Sequence, residues 1–98
     1  MTTETRAMPT VIARLPVQDF EAWHAEYERM HATRQSFGER GRMLYRDVDD
    51  PHTIVVVFEW DSIDNAKRYF GSPELSASVG RAHGKATPTV FYLDPQSA

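Results

Sequence analysis

Residues 53–60 read TIVVVFEW, and residues 61–71 continue as DSIDNAKRYFG. The first stretch carries β-branched or aromatic side chains at almost every position, the composition of a strand. Strand side chains alternate between faces, so Ile54, Val56, Phe58 and Trp60 share one face, and Val55 and Val57 share the other. A sheet wetted on one side would alternate apolar and polar residues. This strand is apolar on both sides. The second stretch opens on Asp61 and Ser62, good N-caps, and predicts a helix over 62–71.

Working outward, SPEL (72–75) repeats the helix-start pattern, with Ser72 as cap and Pro73 at the first helical position. Leu75, Val79 and Ala82 keep a helical spacing that Gly80 weakens. Upstream, DDPH (49–52) is a turn and RGRMLYRDV (40–48) a strand. QDFEAWHAEYERMHATRQSFG (18–38) reads as one helix, with Asp19 as N-cap, Glu21 in its first turn and Gly38 after its last. Phe20, Trp23, Tyr27, Met30 and Phe37 form an apolar stripe about 100° wide. PTVIARLPV (9–17) is a strand with Val11, Ala13 and Leu15 on one face, and TPTVFYLD (87–94) is the last strand, also apolar on both faces at VFYL. MTTETRA (1–7) is expected to be a disordered tail. The order β-α-β-β-α-β predicts an α+β, ferredoxin-like antiparallel sheet with its helices on one face, a single domain over residues 8–95.

The helices explain one apolar face. Nothing remains in 98 residues to cover the other. Burying apolar area stabilises by roughly 25 cal/mol per Å², so a bare strip of several hundred Å² is an association site. The expectation is a homodimer packed through its sheet faces.

Composition narrows the function. There is no cysteine, which excludes disulfides, thiol catalysis and iron–sulfur clusters and suits a reducing cytoplasm. A net charge of −3 with scattered basic residues gives no footprint for nucleic acid. No run approaches the ~18 apolar residues of a membrane span. Two Trp, four Tyr and five Phe suit either a small core or a pocket for a flat ligand.

Seven positions attract chemical interest. His24 and His31 lie seven residues apart, about 10 Å along a helix axis, too far to share one ion. With no HExxH spacing, no metal is expected. Each sits at the border of the apolar stripe, where a histidine is either packed and half-wet or a general acid/base. Arg34 falls inside the stripe, between Trp23 and Tyr27. It either snorkels out at the helix end or grips a phenolate, enolate or carboxylate. Tyr45 and Trp60 either wall a flat pocket or pack the core. His83, in RAHGK (81–85), stands in a loop that either closes a site or is simply exposed, and His52 beside the turn reads as exposed. No GxGxxG, P-loop or GxSxG motif is present, so no nucleotide cofactor is expected.

Over residues 9–94 the chain resembles the dimeric α/β-barrel superfamily, whose members include antibiotic biosynthesis monooxygenases, haem-degrading monooxygenases, stress-responsive barrel proteins and small proteins called cyclases. The resemblance rests on Asp19, Trp23, His31, Arg34, Tyr45, Arg46, Glu59, Trp60 and Ser72–Leu75. It implies a ferredoxin-like protomer, a dimer whose two sheets form a barrel, and a pocket between each sheet and its own helices. It implies, for function, a cofactor-independent monooxygenase or cyclase acting on an aromatic or polyketide-like small molecule. His31 would be the general acid/base, Arg34 would stabilise an oxyanion, and Tyr45 would complete the catalytic set. His24, Tyr27, Trp60 and His83 would contact substrate. Haem would need His31 or His83 as axial ligand, and the acidic charge argues against it. The alternative is a non-catalytic, ligand-binding or stress-associated dimer using the same pocket.

Overall fold

The structure is a computed structural model that describes residues 8–81 and 88–97. The expected tail over residues 1–7 and the loop residue His83 lie outside the described residues. Four strands and four helices follow in the order β1 (Thr10–Pro16), α1 (Phe20–Arg29), α2 (His31–Phe37), β2 (Glu39–Arg46), β3 (Thr53–Trp60), α3 (Ile63–Phe70), α4 (Pro73–Arg81) and β4 (Thr89–Leu93). The strands make one antiparallel sheet, ordered β2-β3-β1-β4. This is the α+β, ferredoxin-like arrangement that the sequence predicts.

Local chemistry sets most of the element boundaries. Asp19 Oδ1 accepts from the Ala22 N–H at 3.1 Å and opens α1. Ser62 Oγ does the same for Asn65, at 3.1 Å, and opens α3. Ser72 works twice between α3 and α4: its hydroxyl donates to the Tyr69 carbonyl at 2.7 Å and accepts from the Leu75 N–H at 3.2 Å. Gly38 ends α2 with φ of 118°, in the left-handed region. A methyl group there would also collide with the Asp61 carboxylate, so this position requires glycine twice over.

The expected helix over 18–38 is in fact two. It breaks at Met30, where ψ opens to 0°. The sequence offers no proline or glycine there. In an unbroken helix the Tyr27 carbonyl would accept from the N–H four residues on. Here it accepts instead from the Arg34 guanidinium, whose Nη1 lies 2.9 Å away. A buried side-chain donor has displaced a backbone one, which helical periodicity cannot reveal.

The helix-facing side of the sheet holds the core. Val11 pairs with Phe58 and Ala13 with Val56, and all four are buried. Tyr27 and Met30 from the first helical pair, and Ala66 and Tyr69 from α3, close over them. Trp60 is fully buried at the end of β3, and its indole N–H donates to the Phe37 carbonyl at 2.9 Å.

The opposite side is apolar as well. Met43, Val57, Ile12 and Phe91 stand in one row across all four strands. Met43 is 57% exposed, Tyr45 50% and Phe91 48%. Among the described residues, nothing within the chain covers this face. No helix among them is long and apolar enough to cross a membrane.

Candidate functional site

Between the sheet and the helices lies a cavity of about 540 Å³, within the usual range for small-molecule sites. Its floor is the helix-facing row Ala13, Leu15, Val56 and Phe58; Trp23, Tyr27, Met30 and Arg34 form one wall, and Tyr69, Phe70, Leu75 and Val79 the other. The walls are therefore mostly apolar and aromatic, with polar groups at a few points. Glu26 and Ser78 meet across the cavity rim. Ser78 Oγ donates to Glu26 Oε1 at 2.9 Å, and Arg81 Nε donates to the same oxygen at 3.1 Å, so this carboxylate ties α4 to α1.

Arg34 does not snorkel to solvent. It is 2% exposed, and its Nε donates to Glu39 Oε1 at 2.9 Å, while Glu39 is itself 2% exposed. The guanidinium carbon stands 4.3 Å from the centre of the Tyr27 ring, a cation–π contact. Two polar atoms, Arg34 Nη2 and the Tyr27 hydroxyl, are sealed from water and make no close hydrogen bond, with the Tyr69 hydroxyl beside the Arg34 guanidinium and Arg42 beside the Tyr27 hydroxyl. Buried donors are rarely left so, since each costs roughly 1–3 kcal/mol. Burial pushes the Tyr27 hydroxyl above the usual phenol range, with the Arg34 charge acting in the opposite sense. Tyr69 is pushed up for the same reason. Both phenols stay protonated at neutral pH and can donate.

Of the residues singled out from sequence, the structure brings Tyr27 and Arg34 to the cavity and leaves four others away from its wall. His31 faces the surface side of the first helical pair. Its Nδ1 accepts from Arg42 Nη1 at 2.8 Å and lies 3.7 Å from Glu39 Oε1. His24 stacks on Phe20 and sits 3.5 Å from the Glu28 carboxylate, half-buried. Trp60 is core, as its full burial and bonded indole show. Tyr45 is opposite Val55 on the outer face of the sheet, away from the helices. The pocket expected between Trp60, Tyr45 and the first helix is therefore displaced: strand alternation sends Tyr45 outward, and Trp60 is too deep to be reached. Arg42 and Arg46, on the same strand as Tyr45, point to the helix side, over the rings of Tyr27 and Phe20.

Sequence reasoning missed Glu39, Tyr69 and Glu26. The signal for Glu39 was its place, directly after the glycine that stops α2 and at the start of β2. An acid there must find a cation. Glu26 and Tyr69 carried no such signal, because their partners come from segments remote in sequence. Among the described residues, no group of three or more His, Asp or Glu is arranged to hold a metal ion.

No protein-family model matches the chain, and no curated protein is significantly similar to it. Solved structures do match it. One is the cofactor-independent oxygenase SnoaB from Streptomyces nogalater, with a TM-score of 0.75 and 16% identity over 94% of this chain and 96% of that one. A second, provisionally described as an antibiotic biosynthesis monooxygenase, is from Bordetella bronchiseptica, with a TM-score of 0.73 and 20% identity over 95% and 99% of the two chains. A conserved protein from Methanosarcina mazei Go1 reaches the same TM-score of 0.73 at 9% identity, over 93% and 95%. Such low identities speak for shape alone, and that shape is consistent: the chain has the ferredoxin-like α+β fold of the antibiotic biosynthesis monooxygenase-like proteins.

Proposed function

We propose that this chain is a cofactor-independent oxygenase of small aromatic or polyketide-like molecules, held in the cavity between the sheet and the helices. The observation that carries the reading is the wall of the cavity, aromatic and apolar with polar groups at a few points. A flat, conjugated molecule with one carbonyl or enol oxygen complements that wall. The similarity in fold to SnoaB supports the class of reaction. His31 takes no proton step in this reading, because it contacts Arg42 outside the cavity wall. The uncovered face of the sheet supports a homodimer packed through that face.

In such a reaction the substrate itself supplies two hydrogen atoms, one atom of O2 enters the product, and the other leaves as water. The test is incubation with hydroxylated anthrones and naphthols under 18O2, followed by oxygen uptake and product mass. Uptake above the uncatalysed rate, with one labelled oxygen in the product, is expected. No turnover across the set would overturn the oxygenase reading. A second reading, a non-catalytic binder, is favoured by one feature: the Glu26 carboxylate at the rim is held by Arg29, Arg81 and Ser78 and is not free to act as a base. That reading predicts binding of the same molecules without oxygen uptake.

A further inference from the structure

The space between the sheet and the helices is filled at one end and open at the other. Phe58, Trp60, Tyr69 and Phe70 fill the first end, with neighbouring ring centres 5.1–6.0 Å apart. Phe58, Tyr69 and Phe70 also line the cavity, so this cluster is its inner end. Among the described lining residues, Pro16, Gln18 and Asp19 are exposed. They stand on the turn from β1 to α1 and mark the mouth. β1 runs between the two. Its helix-facing side reads Leu15 near the mouth, then Ala13, then Val11, which is fully buried opposite Phe58.

Ala13 is the residue out of place. Alanine is a poor strand former, yet it occupies the middle of β1, an inner strand between β3 and β4. Val56 and Val90 stand opposite it on the two neighbouring strands, and Val11 and Leu15 flank it along its own. It is smaller than all four, and it lies on the cavity floor just before Phe58. From Pro16 to Ala13 the strand rises about 10 Å, about the length of three fused rings.

We infer that Ala13 sets the depth of the cavity and so selects ligands by length. A branched side chain there would project into the space in front of the aromatic cluster and bring the inner end toward the mouth. The inference rests on the reading that the cavity holds a flat aromatic molecule, and names the residue that limits its size.

The probes are benzyl alcohol, 2-naphthalenemethanol and 2-anthracenemethanol, which carry one, two and three rings in line and the same neutral hydroxyl. Binding to the full chain is measured by equilibrium dialysis, which needs no turnover. Affinity for the native chain rises about tenfold with each ring, as more apolar area leaves water. In Ala13→Leu the one-ring and two-ring probes stay within about threefold of native affinity, while the third ring adds about threefold or less. A native chain that binds none of the three overturns the reading of the cavity as a site for flat ligands, and the inference with it. If the native chain binds them but gains nothing from the third ring, the inference alone is overturned. The same holds if Ala13→Leu keeps the full gain, or weakens all three probes alike. Should Ala13→Leu not fold, Ala13→Val is read by the same criteria.

Discussion

Removing one member of the buried Arg34–Glu39 pair should cost far more than removing both. Arg34→Met leaves the Glu39 carboxylate in full burial with only longer contacts, His31 at 3.7 Å and Arg42 at 3.8 Å. It also strips the Tyr27 carbonyl of its 2.9 Å donor. An unpaired buried charge costs about 3–5 kcal/mol, and an orphaned carbonyl adds roughly 1–3 kcal/mol. Glu39→Met strands a guanidinium with two of its three nitrogens unsatisfied and costs about 3–5 kcal/mol by the same reasoning. Against a total stability of about 5–15 kcal/mol, either change is severe. The double variant has no stranded charge and two apolar side chains of similar volume. It still leaves the Tyr27 carbonyl without its donor, so it should lie within about 3 kcal/mol of the native protein, well short of the sum of the two single losses. Urea unfolding followed by tryptophan fluorescence measures all four proteins, at one protein concentration so that association does not shift the comparison. Trp60 is a good reporter, buried and bonded to the end of α2. If the double variant loses the sum of the two single losses, or if each single costs under 1 kcal/mol, the pair is not the closed ionic unit described above.

Met43→Glu or Val57→Lys, placed in the exposed row of the sheet, should convert a dimer into an 11.2 kDa particle by sedimentation while leaving the circular dichroism unchanged; a native protein already of that size would contradict the face-to-face assembly. Gly38→Ala should destabilise by about 2 kcal/mol or more in the same urea assay, because a left-handed conformation and the Asp61 carboxylate both oppose a side chain there. Burial raises the Tyr27 and Tyr69 hydroxyls above the range of the unfolded chain, so the unfolded state loses these protons first. Stability should therefore hold up to about pH 10 and fall above it, and Tyr69→Phe should flatten that alkaline slope. Glu26→Gln, which weakens the tie to Ser78 and Arg81, should speed hydrogen exchange across Pro73–Arg81 while leaving α1 protected.

Much of this architecture was legible in the residues, because it depends on local chemistry and on period. Asp19, Ser62 and Ser72 announce helix starts through side chains that satisfy nearby N–H groups, and each does so. Gly38 announces an ending that only glycine tolerates. The two-residue alternation of 53–60 separates core from outer face, and the structure places Ile54, Val56, Phe58 and Trp60 as that period requires. An uncovered apolar face follows from the same count.

The site was less legible. Periodicity put Arg34 inside the apolar stripe, but whether it escaped to water depended on Glu39, an acid on another element. The Arg34 guanidinium also takes the Tyr27 carbonyl across the break at Met30, a contact that spacing does not announce. Tyr45 and Trp60 look alike as strand aromatics until register sends one outward and seals the other in. Spacing along a chain reports which residues share a face. It does not report which faces meet, and a cavity wall is made where segments distant in sequence meet, so the strands and caps belonged to the sequence while the walls of the cavity belonged to the tertiary structure.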